Sequence, residues 1–156
     1  MKYLILVRHG ADNDDGDLSD NGIEDIARLS SSLRSIIAAG SEVKIKTSRI
    51  HRAKQSAQLI MGDLNIYAEL QIHPILSEEI TRPLLADCLN RFTKFVEEES
   101  VGVDVLILVT HLPQIRLFSP YYGKEVLGIE GFTNEGVSQG MALVIDCQAK
   151  TIITIP

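Results

Sequence analysis

Two histidines and several arginines of this chain stand where apolar runs stop. Arg8 and His9 follow YLILV (3–7), the segment TSRIHRAKQSA (47–57) follows a second strand-like run, and His111 follows VDVLILVT (103–110). A guanidinium is a planar fork of donors that matches phosphate oxygens, so clustered arginines point to a phosphoryl ligand. A neutral imidazole can attack phosphorus once those oxygens are neutralised. In open α/β sheets, ligands bind beyond the carboxyl ends of the strands. If the three runs are parallel neighbours, both histidines and the arginines converge at one sheet edge.

The elements that must position them follow from pattern. YLILV does not alternate, which marks a strand buried on both faces. An acidic loop, ADNDDGD, leads into a helix with Ser19 as N-cap and Asp20, Glu24 and Asp25 at its positive end. Ile23, Ile26, Ala27, Leu33, Ile36 and Ile37 recur at helical spacing, and Gly40 is the expected terminator. A strand is expected over 42–48, a helix over 49–61 closed by Gly62, and a strand over 68–73 ending before Pro74. An amphipathic helix over 84–99 carries Leu85, Cys88, Leu89, Phe92 and Val96, with a solvated charge run at 97–99. The strand 103–110, a short helix after Pro113, and two strands joined near 148–150 complete the chain. Strands alternating with helices define an α/β fold, three-layered, with a mostly parallel central sheet flanked by helices. Without repeat, linker or low-complexity segment, residues 1–156 read as a single domain.

Composition narrows the function. A chain of 156 residues buries about 70% of the surface its unfolded form exposes. A net charge of −6 with no basic stripe argues against nucleic acid. Any anion site must therefore be built locally, against the overall field. The N-terminal apolar run is far shorter than the roughly 20 residues that span a bilayer, and shorter than a signal-peptide core. The reading is a cytoplasmic protein with no membrane partner. Cys88 and Cys147 have no metal spacing and read as reduced packing residues. Aligning Asp17-x-Ser19-x-Asn21-Gly22 with a calcium loop places Arg28 where a bidentate Glu is required, so calcium is not expected. Asp12, Asp14, Asp15 and Asp17 instead suggest a mobile rim that disfavours highly anionic substrates or recognises a cationic one. Arg49, which can assist with phosphate, His51 and His73 read as surface or structural residues, and Tyr121 and Tyr122 as packing beside the site.

An ordered set of motifs resembles the histidine phosphatase superfamily, the phosphoglycerate mutase-like proteins. It comprises RHG at 8–10, L-S-x-x-G at 18–22, S-x-x-x-R-A-x-Q-S-A at 48–57, L-x-E at 76–78 and T-H at 110–111. The resemblance implies that His9 is the nucleophile that becomes phosphorylated, that Arg8 and Arg52 hold the phosphoryl oxygens, and that His111 donates to the same group. Glu78 falls where many members place the acid that protonates the leaving group, with Glu79 beside it as the alternative. No metal or other cofactor is implied, and water then hydrolyses phosphohistidine.

The short chain and V-T-H-L-P-Q at 109–114 resemble the compact SixA-type phosphohistidine phosphatases, as does Phe132-Thr133-Asn134. Those proteins lack a glutamate at the position of Glu78, which fits a phosphomonoesterase better, and ITRPLL (80–85) replaces the family's usual residues after the acid. The expected activity is hydrolysis of a phosphomonoester or protein phosphohistidine, on a phosphorylated small molecule or a phosphohistidine-bearing protein. The alternatives are a phosphate-binding regulatory domain without turnover and a phosphoglycerate mutase-type phosphotransferase.

Overall fold

The computed structural model describes residues 1–80, 84–133 and 136–156. The element order is β1 (Tyr3–Arg8), α1 (Asp20–Ile36), β2 (Val43–Thr47), α2 (His51–Asp63), β3 (Gln71–Ile72), α3 (Leu85–Glu99), β4 (Val105–Thr110), α4 (Leu112–Tyr121), β5 (Ala142–Asp146) and β6 (Thr151–Ile155). One sheet carries them in the order β3-β2-β4-β1-β5-β6. The first four strands of that order are mutually parallel, while β5 and β6 are antiparallel additions.

The unbroken apolar runs have a direct cause, because both faces of the sheet are covered. Ile5, Val7, Ile107 and Val109 pack with Ile26, Leu29 and Leu33 of α1 and Ala57 and Ile60 of α2. Their neighbours Leu4, Leu6, Leu106 and Leu108 pack with Phe92, Phe95 and Val96 of α3 and Ile115 and Phe118 of α4. Adjacent residues of one strand thus enter opposite cores, as the period of two requires. Truncating one such leucine to alanine costs about 2–5 kcal/mol.

Register brings the site together. Arg8 lies opposite Thr110, and Thr47 opposite Val109, so the residues leaving β1, β2 and β4 emerge at one level. The same architecture brings the RHG and L-S-x-x-G motifs into contact. A Cβ on Gly10 would lie 2.6 Å from the Gly22 carbonyl oxygen, and one on Gly22 would lie 2.1 Å from the Ala11 oxygen. The chain leaving β1 crosses the first turn of α1 with no room for side chains.

Several boundaries differ from expectation. Helix α1 ends at Ile36, not at Gly40, because the Ile37 amide closes the last turn on Leu33 while its own backbone is already extended. Gly62 lies inside α2, and Asn65, at φ 55°, takes the left-handed position beyond it. The strand expected over 68–73 shrinks to two exposed residues at the sheet edge. The acidic loop carries hydrogen bonds of its own: the Asn13 carboxamide oxygen accepts from the Asp15 and Asp17 amides, and Gln55 bonds the Leu18 amide and Asp17. Among the described residues, no helix is long and apolar enough to cross a membrane.

Candidate active site

His9 is 4% exposed and leaves β1 at the centre of the sheet edge. Its Nδ1 lies 2.7 Å from the Gly10 carbonyl, which can only accept, so Nδ1 carries the proton. Nε2 is then the lone-pair nitrogen, and it accepts from Arg52 Nε at 3.0 Å. Burial is the main cause lowering the His9 pKa, opposed by the Gly10 carbonyl and assisted by Arg52 and Arg8. The imidazole is therefore neutral at neutral pH, with its nucleophilic nitrogen turned toward a guanidinium.

The remaining groups close around this ring. His111 leaves β4 with its ring centroid 5.0 Å from that of His9. Burial first, then His9, Arg52 and Arg8, push its pKa down to about 4. Its Nε2 lies 2.8 Å from the hydroxyl of Ser48, a fully buried residue leaving β2. Arg8 donates through Nη1 to the Val137 carbonyl at 2.9 Å, while its buried Nε has no hydrogen-bond partner. Burial and Arg52 together lower the Arg8 pKa. An anion with several oxygens would answer these donors.

The R-A-x-Q-S-A segment shows why its residue types matter. Arg52 opens α2 and reaches His9, while Ser56, one turn later, accepts from the Gly10 amide at 3.1 Å and donates to the Arg52 carbonyl. Gln55 pins the loop that follows the RHG segment. Ala53 and Ala57 lie in the core, where α2 meets the sheet.

Arg8, His9, Arg52 and His111 thus stand together at the sheet edge. Glu78 stands differently. It lines the adjoining cleft of about 320 Å³ with Arg52, Glu79 and His111, but its two carboxylate oxygens accept from Arg91 of α3 at 2.6 and 2.9 Å. Both oxygens are thus held in a bidentate guanidinium clamp. Only the Glu78 backbone is tied toward the site, through Gln114. Glu79 lines the same cleft and has no hydrogen-bond or ion-pair partner among the described residues.

Other expectations sort similarly. Arg49 is exposed beside a neighbouring groove, His51 pairs with Asp17 at 2.6 Å, and His73 caps the turn at Pro74–Ser77 while stacking on Phe95. The tyrosines do not pack beside the site. Helix α4 runs back from His111, so Tyr121 and Tyr122 lie at its far end, about 15 Å along the axis. Tyr122 is buried against Phe118, and Tyr121 bonds Asn90. Phe132 is half-buried against the α3–α4 core. Asn134 and residues 81–83 of the ITRPLL stretch lie outside the described residues.

Ser48 and Gln139 were not foreseen as site residues, and Asp12 was foreseen only as one of four rim carboxylates. Asp12 Oδ2 lies 3.5 Å from Arg52 Nη1, and Asp12 Oδ1 accepts from Gln139 at 3.2 Å. The serine opening the 48–57 motif was the one available signal for Ser48. For Asp12, loop composition gave the rim but not which of its carboxylates meets Arg52.

Neither a protein-family model nor a curated protein sequence matches the chain. Solved structures do. The protein histidine phosphatase SixA complexed with tungstate aligns over 99% of this chain and 94% of its own, at 17% identity and a TM-score of 0.67. A mycobacterial glucosyl-3-phosphoglycerate phosphatase aligns over 99% and 97%, at 15% identity and 0.68. Phosphoglycerate mutase from Plasmodium falciparum aligns over 99% and 89%, at 20% identity and 0.63. These are histidine phosphatase superfamily proteins, and the chain has their α/β, phosphoglycerate mutase-like fold.

Proposed function

We propose that the chain, as a single domain over 1–156, is a phosphatase of the histidine phosphatase superfamily in which His9 is the nucleophile. The observation that carries this reading is the buried His9 ring, fixed with its lone pair on Nε2 and facing Arg52, with Arg8 and His111 beside it. The phosphoryl group takes Arg8 and Arg52 as its charge partners. As Arg52 Nε turns from the ring to an oxygen, the Nε2 lone pair forms the N–P bond and the leaving group departs with the electrons of its bond to phosphorus. Water then attacks phosphohistidine, releasing phosphate and restoring His9. The two guanidiniums supply charge compensation of the kind a metal provides elsewhere.

The substrate is a phosphomonoester or protein phosphohistidine, on a small molecule or a protein partner. The Glu78–Arg91 clamp favours leaving groups that need little protonation, such as imidazole or an activated phenol. Glu78 serves as general acid only in a state where Arg91 has let go. An alkaline denaturing quench of enzyme incubated with phosphate-labelled p-nitrophenyl phosphate, followed by acid treatment of the labelled protein, tests the mechanism. Acid-labile label on wild type and none on a folded His9→Ala variant are expected. Label retained in His9→Ala, or acid-stable label on a serine, would refute the assignment.

A further inference from the structure

Arg52 is engaged on two sides. Its Nε–H donates to the nucleophilic Nε2 of His9 at 3.0 Å, and its Nη1 faces Asp12 Oδ2 at 3.5 Å. Asp12 is itself held from behind, where Oδ1 accepts from Gln139, and its backbone bridges to Leu18 across the acidic loop. The carboxylate therefore faces the same guanidinium that the phosphatase reading assigns to a phosphoryl oxygen. With both histidines neutral, the charged groups facing this point are Arg8, Arg52 and Asp12. One carboxylate offsets half of the cationic charge offered to an incoming phosphate.

We infer that Asp12 is a built-in competitor for the phosphoryl group: its carboxylate holds Arg52 over His9, and substrate must displace it before the nucleophile is freed. This rests on the phosphatase reading and adds a determinant of affinity and selectivity to it. An incoming phosphoryl group exchanges with Asp12 on Arg52, Arg52 Nε leaves the ring, and the lone pair is exposed only then. The exchange disfavours ligands held through one oxygen alone and favours those that engage Arg8 and Arg52 together. It also explains how an acidic rim sits beside an anion site without abolishing it. The other loop carboxylates are placed elsewhere: Asp17 is taken up by His51 and Gln55, and Asp14 touches none of these groups.

Titration calorimetry with inorganic phosphate, alongside steady-state kinetics on p-nitrophenyl phosphate, tests this on the full chain. Asp12→Asn keeps the shape and the Gln139 contact but removes the charge. Phosphate Kd and KM should both fall about tenfold, with kcat changing less than KM. Asp12→Ala should tighten phosphate in the same direction, and Asp14→Asn, an equal change of net charge, should alter Kd less than twofold. Unchanged or weaker phosphate binding in both Asp12 variants would overturn the inference while leaving the phosphatase reading intact. Equal tightening in Asp14→Asn would overturn it too, because a general field would then explain the effect. Failure of phosphate to bind wild type would refute the parent reading and this one with it.

Discussion

His111 joins the chemistry of the site to the stability of the fold. Its pKa falls from 6.5 to about 4, chiefly through burial and then through His9, Arg52 and Arg8. In the unfolded chain the same ring titrates near about 6.5. Between those values the unfolded state binds a proton that the native state refuses, so stability rises with pH across that window and is lost as pH falls. The contribution is complete above about pH 7, and at pH 4.5 the loss amounts to about 2–3 kcal/mol. Urea unfolding of wild type and His111→Gln, measured from pH 4.5 to 7.5, isolates it, because the carboxylates titrate in both proteins. The stability difference should move by about 2–3 kcal/mol over the range, wild type losing ground toward acid. Parallel curves for the two proteins would refute the reasoning, since the ring would then be as readily protonated folded as unfolded.

Two further predictions concern the groups around it. Arg52→Lys should lower kcat/KM on p-nitrophenyl phosphate by at least 10²-fold, because an ammonium cannot hold both the ring and a phosphoryl oxygen; a loss under tenfold would remove the need for the fork. Glu78→Gln should change turnover of p-nitrophenyl phosphate and phosphohistidine by less than about threefold, whereas a loss confined to alkyl phosphates, on the order of 10²–10⁴-fold, would return Glu78 to the general-acid role.

What the sequence made readable is what local physics dictates. The apolar runs of β1 and β4 could only be doubly covered strands, and a run of that kind leaves its next residues at the sheet edge. His9 and His111 follow such runs at once, so their convergence needed only that the strands be parallel neighbours, which β2-β4-β1 are. The glycines of RHG and L-S-x-x-G were recognisable as motif letters. Their cause, a backbone crossing with less than 3 Å for a Cβ, belongs to tertiary contact. The helix ends were missed because hydrogen bonds outweighed punctuation: α1 closed before Gly40, and α2 ran through Gly62.

The leaving-group side was illegible for a different reason. The role of a carboxylate is set by its partner, and Arg91, thirteen residues beyond Glu78, reaches it only because α3 packs over the turn at Pro74–Ser77. On α3 itself Arg91 looks like half of an ordinary surface pair, one turn from Asp87. Asp12 is the mirror case, one of four loop aspartates in sequence and the one that touches Arg52 in space. Both carboxylates bear on guanidiniums, and the two pairings pull the site in opposite senses. Asp12 reduces the positive charge offered to phosphate, while Arg91 takes up the negative charge that Glu78 would otherwise present to the cleft. On the proposed reading, affinity for the phosphoryl group and tolerance for poor leaving groups therefore rest on separate side chains, on separate elements, and of the two only Asp12 reaches His9, through Arg52.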